Sequence, residues 1–406
     1  MSHDKLAALL DSDLGAGWPI AAGQCELAGR ALPLFSGEFW TSGQRRAARL
    51  HEVSYRACFK PQLPAYFIRR FSAPGDLIHD PFSGRGTTAL EAALAGRRVA
   101  AGDANPLSEL LTRPRLAPPE PEAVRRRLEE IPLPAGRRAG IDLSMFFHPH
   151  TESEIVGLRE HLRQRRETGR EDEADAWIRM VATSRLTGHS PGFFSVYTLP
   201  PNQALSPERQ RLINQSRRQA PEYRDTKALI LRKSAQLLQG LSPEQRDRLR
   251  RAAASARLFT GDARRAPLED GCARLVVTSP PFLDLVQYAA DNWLRCWFNG
   301  LDAEEVGSRI TQARDLGEWT SAMAEVFGEL RRLLAPGGRV AFEVGELRKG
   351  RVRLEEAALT AGERAGLRGE ALLVNRQAFT KTANIWGVRN NELGTNSNRI
   401  VLFRRD

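Results

Sequence analysis

Two short groups of residues, far apart in the chain, have the types and spacing to do chemistry. Asp80-Pro81-Phe82-Ser83-Gly84-Arg85-Gly86-Thr87-Thr88 follows the apolar run Leu77-Ile78-His79 and precedes the helical stretch Ala89 to Leu94. Glycines at a strand-to-helix turn let the backbone approach a ligand closely. Thr278-Ser279-Pro280-Pro281-Phe282 ends a second apolar run, Arg274-Leu275-Val276-Val277. It sets a hydroxyl, a rigid Pro-Pro step and an aromatic ring at a strand's carboxyl end, where open α/β sheets bind ligands. The first group would hold a cofactor, and the second would present a planar amine to it.

Both groups need a sheet to bring them together, and the chain between and beyond them supplies its strands. The helix after the glycines stops near Gly96, and Arg98 to Gly102 reads as a second strand ending at Asp103. An acid there, roughly twenty residues past the first strand, is placed to accept from a ribose diol. A solvated turn acid is the plainer reading. Arg257 to Thr260 is a third strand, followed by Gly261-Asp262-Ala263; Pro336-Gly337-Gly338 is a turn before the strand Arg339 to Val344; Arg399 to Phe403 is a last strand. Between the second and third strands, residues 120–256 carry few strand signals and many Arg, Glu and Gln. Thr151-x-x-Glu154 has the spacing of a capping box, and a further helix is expected over about 174–184. The loop from Thr187 to Gln203 brings aromatics and amides together; its Pro200-Pro201 lacks a preceding apolar strand.

The two motifs resemble those of the S-adenosylmethionine-dependent amino-methyltransferases that modify exocyclic amines of DNA bases. The family's glycine motif reads D-P-F-x-G-x-G-T-T, and its catalytic motif is a polar residue followed by Pro-Pro and an aromatic, here Ser279-Pro280-Pro281-Phe282. The resemblance covers about 54–114 and 258–400. It implies an α/β fold, a Rossmann-like class I methyltransferase sheet with a mainly helical insertion. It implies S-adenosylmethionine as cofactor, held by Asp80, Pro81, Phe82, Ser83, Gly84, Gly86, Thr87 and Thr88, with Asp103 at the ribose and Asp262-Ala263 beside the adenine. Ser54 to Pro64 resembles the segment that closes over the methionine end, although a helix packed on the sheet edge would read the same. Ser279, Pro280, Pro281 and Phe282 are the expected catalytic residues, acting on a base flipped out of double-stranded DNA.

The amine of cytosine or adenine is a weak nucleophile because its lone pair delocalises into the ring. Positioning can lower such a barrier by several kcal/mol, up to about 7–11. The Ser279 hydroxyl and Pro280 carbonyl are the candidate acceptors for the amine hydrogens. Phe282 would stack on the base, worth roughly 1–3 kcal/mol against an unstacking cost of a few. Thr-Ser-Pro-Pro is commoner among cytosine-N4 enzymes, so cytosine N4 is the expected target and adenine N6 the alternative. The cofactor motif precedes the catalytic one here, the reverse of many cytosine-N4 enzymes. No Pro-Cys pair offers a thiolate for C5 methylation, and no metal is expected. An RNA or protein amino-methyltransferase and a catalytically silent nucleic-acid-binding subunit stay open.

The 406 residues carry a net charge of +11, with 60 Lys and Arg against 49 Asp and Glu. That excess suits a polyanionic partner. The expected organisation is an N-terminal extension, 1–50; a catalytic domain, 51–119 and 257–406; and a helical insertion, 120–256, as the DNA target-recognition region. No apolar run reaches the length of a membrane span, and Met1-Ser2-His3-Asp4-Lys5 is charged where a signal peptide is apolar. A cytoplasmic protein with free thiols at Cys25, Cys58, Cys272 and Cys296 is expected, and the resemblance allows a cognate restriction endonuclease as partner.

Overall fold

The structure, a computed structural model, describes residues 21–37, 47–55, 59–198, 205–281, 288–310, 313–345, 352–376 and 397–406. Its strands are β1 (Ala21–Leu27), β2 (Arg30–Gly37), β3 (Leu77–Asp80), β4 (Arg98–Asp103), β5 (Arg257–Thr260), β6 (Ala273–Thr278), β7 (Leu334–Gly345), β8 (Arg368–Arg376) and β9 (Ser397–Arg404). They form one sheet in the order β1-β2-β8-β9-β7-β6-β3-β4-β5. The five strands from β5 to β7 are mutually parallel, and β9 runs antiparallel between β7 and β8. Residues alternate between the two faces. Leu275 and Val277 enter one core and Val276 the other; Ile400 and Leu402 enter the first, Val401 and Phe403 the second. Near-continuous apolar strands of this kind are what a sheet covered on both faces requires.

The helices are α1 (Gln62–Phe71), α2 (Thr87–Leu94), α3 (Leu107–Leu116), α4 (Pro121–Glu130), α5 (Pro149–Glu167), α6 (Glu173–Arg185), α7 (Pro207–Arg217), α8 (Thr226–Leu238), α9 (Pro243–Ser255), α10 (Tyr288–Asn299), α11 (Ala303–Arg309), α12 (Leu316–Leu333) and α13 (Leu354–Arg364). Helices α12 and α13 pack on one face; α1, α2 and most of the segment between β4 and β5 pack on the other. That segment is helical, as expected, and it continues the core of the sheet. Trp177, Ile178, Ile230 and Leu249 share one apolar cluster with Ile78, Val99 and Leu275, and α9 lies against α2, α3 and β4.

Two local expectations change. Thr151 and Glu154 do not cap a helix, because α5 starts earlier, with His148 as its cap and Pro149 in its first turn. The two side chains lie inside the helix and hold the chain before α8. Thr151 Oγ1 bonds to the backbone of Arg224, and Glu154 accepts from Tyr223 and Thr226. Part of the N-terminal extension joins the sheet. Strands β1 and β2 form a hairpin whose two turn residues, Ala28 and Gly29, have φ of 49° and 75°, the left-handed pair that a tight hairpin needs. Strand β2 then covers the edge of β8. The turn at Pro336-Gly337-Gly338 is present as a register shift inside β7.

Candidate active site

Parallel pairing sets Asp80, Asp103, Thr260, Thr278 and Gly345 along one edge, where five strands end. The glycine turn leaves β3 at that edge. Gly84 and Gly86 have φ of 51° and 75°, conformations that L side chains rarely adopt. A Cβ on Gly86 would lie 2.1 Å from Thr112 Oγ1 in α3, so this glycine is required for the turn to close on the helix. A Cβ on Gly84 would lie 3.3 Å from the Tyr55 ring, which stands over the turn. Asn105 Nδ2 donates to the Tyr55 hydroxyl at 3.2 Å. The buried Arg115 guanidinium ties the turn to residues 49–51, donating to the carbonyls of Leu50, Arg85 and Leu111.

Asp80 shapes the turn from beneath. Its carboxylate is 2% exposed and accepts from Thr278 Oγ1 at 2.6 Å and Phe82 N–H at 3.2 Å, while Thr88 Oγ1 reaches the Val277 carbonyl at 3.0 Å. These bonds lock the two motif strands together and hold the Asp80 carboxylate beneath the turn. Burial pushes its carboxyl up to about 7, opposed by hydrogen bonds from Thr278, Thr88 and Phe82 and reinforced by the charge of Asp103. Thr87 is likewise buried, its hydroxyl accepting from Arg85 Nε. Ser83 is buried with its Oγ unpartnered among the described residues. Phe82 and Ala263 both lie against the apolar cluster under the other face of the sheet.

Asp103 reaches back over the turn: one carboxylate oxygen accepts from Gly84 N–H at 2.7 Å and the other from Asn105 N–H at 3.0 Å. Burial pushes it up to about 6 against those two bonds. Each oxygen keeps a lone pair, so the acid can still accept from a diol. Asp262 sits at the next strand end but is held by Arg264, which donates to both carboxylate oxygens at 2.6–2.9 Å and keeps its carboxyl below the usual range. An amine would have to share that carboxylate with the guanidinium.

The second motif lies beside the first. Ser279 is partly exposed, Pro280 is buried, and Trp319 Nε1 of α12 donates to the Pro281 carbonyl at 3.1 Å, which fixes the Pro-Pro step. Phe282 lies outside the described residues, as do the polar loop Phe379 to Asn391 and Pro200-Pro201. Ser279 has a partner that sequence reading did not single out. Its hydroxyl donates to Glu343, a 4% exposed carboxylate near the carboxyl end of β7 that also accepts from Asn398 Nδ2 at 2.5 Å. Burial pushes Glu343 up, and the two hydrogen bonds oppose it. The one available signal was an acid at an otherwise apolar position of Arg339-Val340-Ala341-Phe342-Glu343-Val344. Tyr55 was singled out only as part of a segment, and Asn105 and Trp319 carried no signal.

Strands β5-β4-β3-β6-β7-β9-β8, with β9 alone reversed, make the sheet of a class I, Rossmann-like methyltransferase. Part of the sequence matches a family model. Residues 34–143 match the model of the N6/N4 methyltransferases, described as DNA methylase, and this stretch contains the whole glycine turn and Asp103 but not Ser279. No curated protein sequence matches the chain. Among solved structures, it is similar to TrmN from Thermus thermophilus (15% identity, 89% of this chain and 53% of that one, TM-score 0.32). It is also similar to geranyl diphosphate C-methyltransferase from Streptomyces coelicolor A3(2) (8%, 86% and 78%, 0.35). A third is a proposed DNA modification methylase, also from Thermus thermophilus (22%, 36% and 50%, 0.21). The matched family depends on S-adenosylmethionine, and the cradle fits that cofactor: Ser83 leaves a buried hydroxyl to be satisfied, and Asp103 keeps free lone pairs. Among the described residues no helix is long and apolar enough to cross a membrane.

Proposed function

We propose that this protein methylates an exocyclic amine of a base in double-stranded DNA, with cytosine N4 as the preferred target. The observation that carries the reading is the bond from Ser279 to Glu343 at the strand edge shared with the glycine turn. When bound, S-adenosylmethionine supplies an electrophilic methyl group. Ser279 commits its only hydrogen to Glu343, so towards the substrate its oxygen can only accept. An amine N–H satisfies that oxygen; the carbonyl of thymine or guanine does not. The same bond draws the amine nitrogen towards tetrahedral geometry and localises its lone pair. A methylated amine would have one proton to lose, and Ser279 backed by Glu343 would offer a route for it: the Ser279 oxygen would take the amine proton as its own hydrogen passes to the carboxylate. Trp319 holds Pro281 and so keeps the Pro-Pro step rigid through this change. The insertion 120–256 is the proposed target-recognition region, and a base flipped from the duplex with Phe282 stacked on it completes the reading.

The test is mass spectrometry of nucleosides from duplex DNA treated with the protein and labelled cofactor. N4-methylcytosine supports the reading. N6-methyladenine as sole product overturns the choice of base and keeps the mechanism. Label in tRNA or protein but not in DNA overturns the substrate class, and C5-methylcytosine overturns the mechanism.

A further inference from the structure

Helix α7 is unlike its neighbours in how it is held. Helix α6 buries Trp177, Ile178, Met180 and Val181, whereas α7 buries a single residue, Gln210. Amides anchor it in place of a core. Gln210 Nε2 and Gln219 Nε2 both donate to the Tyr197 carbonyl, at 3.1 and 3.0 Å, and both reach Asn214 Oδ1 at 2.8 Å. Asn214 Nδ2 donates to the Met145 carbonyl at 2.8 Å, and the Arg217 guanidinium lies 3.9 Å from the centre of the Tyr197 ring. Since residues 210, 213, 214 and 217 form the inner face, the helical period turns Arg209, Arg211, Leu212 and Gln215 outward. All four are exposed, and Leu212 shows 65% of its surface.

Two further features point to a partner on this face. Arg218, which ends the helix, has φ of 50°; with Ala28 it is one of two non-glycine residues in the left-handed region among those described. Glycine is the unstrained choice there, so a long cationic side chain is kept at a conformational cost. From Ser206 to Gln219 the chain carries four arginines against one glutamate, of which Arg211 is paired with Asp142. The helix also starts against α10. The Leu205 carbonyl, just before its cap, accepts at 3.0 Å from Trp293 of α10, the next helix in the chain after the Pro280-Pro281 step.

We infer that α7 is the element that reads sequence, entering the major groove of the duplex with Arg209, Leu212 and Gln215 towards the base edges and Arg218 towards phosphates. The inference rests on the DNA reading above. A helix about 10–12 Å across fits a groove about 12 Å wide. Arginine matches guanine, glutamine matches adenine, and an apolar side chain matches the thymine methyl. Anchoring by amides leaves Arg209, Leu212 and Gln215 exposed for those contacts.

The experiment uses the full chain with Arg209→Ala, Leu212→Ala and Gln215→Ala, singly and together, on a randomised duplex library whose methylated products are sequenced. Each change is at an exposed position, and cofactor affinity and the thermal transition serve as folding controls. The expected result is relaxed preference at one or two base positions for each variant, with discrimination falling roughly 5- to 150-fold and cofactor affinity unchanged. Unaltered preference overturns the inference, and so does uniform weakening on every sequence, which marks phosphate contact alone. A variant that changes the oligomeric state overturns it in favour of a second copy on this face. Wild-type protein that neither binds nor methylates any duplex removes the DNA reading and this inference together, whereas methylation with unaltered preference removes only the role of α7.

Discussion

Replacing Glu343 by Gln should separate the chemistry from the scaffold. The substitution keeps volume and hydrogen-bonding capacity but removes the charge. Ser279 then donates to a neutral oxygen where it had donated to a carboxylate. Bonds to charged groups contribute about 1.5–3 kcal/mol and neutral ones about 0.5–1.5, so the Ser279 oxygen loses roughly 1–1.5 kcal/mol of polarisation. If that difference is felt only as the amine nitrogen changes geometry, turnover falls roughly 5- to 12-fold with little change in DNA affinity. The amide has a second arrangement. Asn398 donates to the same carboxylate, so the Gln amide must either meet a flipped Asn398 or turn its own N–H₂ to Ser279. In the second case the Ser279 hydrogen is released towards the substrate and the loss is larger, because an amine would then meet a donor.

The pH dependence gives the sign. Burial raises the Glu343 carboxyl above its ordinary range, so in the folded protein it holds its proton to higher pH than a free glutamate. Only the ionised form accepts the Ser279 hydrogen with full strength. Single-turnover methyl transfer by the wild type should therefore rise with pH as Glu343 ionises and level off above it. The Gln variant should lack that limb. Measuring the single-turnover rate from about pH 5 to 9, beside DNA and cofactor affinities at each pH, checks this. A folded Glu343→Gln protein with wild-type rate and the same pH limb would refute the role assigned to the Ser279–Glu343 pair.

Four further outcomes are expected. Gly84→Ala should weaken cofactor binding by calorimetry about tenfold or more and lower stability by about 1–2 kcal/mol, the cost of a left-handed alanine, since beyond that only the edge of the Tyr55 ring must yield. Gly86→Ala should instead destabilise the fold by about 2–5 kcal/mol in denaturant melts, because a left-handed alanine and a Cβ 2.1 Å from Thr112 add their costs. Asp80 titrates near 7 when folded and near 3.8 otherwise, so the folded state binds the extra proton; stability should fall as pH rises from about 4 to 7, by up to about 4 kcal/mol, and Asp80→Asn should flatten that slope in urea titrations. DNA affinity should fall linearly in a log–log plot against salt, and an affinity indifferent to salt would contradict the role given to the +11 charge.

What the amino-acid order carried most clearly was local. Asp80 to Thr88 and Thr278 to Pro281 each follow an apolar strand, so two strands of the sheet and the turns that leave them could be read there, while the reaction class followed from the family that those motifs resemble. Helical periodicity likewise announced the segment between β4 and β5. Pairings between distant residues could not be read this way. Glu343 lies 64 residues beyond Ser279 and meets it only because β7 pairs with β6; in the sequence it is one acid among 49 Asp and Glu. Thr151 and Glu154 had a cap's spacing, yet the chain before α8 competed for their oxygens and won them. Burial decided the rest. Thr278 and Phe82 hold the Asp80 carboxylate from within the fold, and Arg264 is folded onto Asp262, partners that spacing along the chain does not announce. Spacing along a chain specifies which backbone shape a residue can adopt, but which hydrogen-bonding groups compete for it depends on neighbours that only the packed sheet brings within about 3 Å.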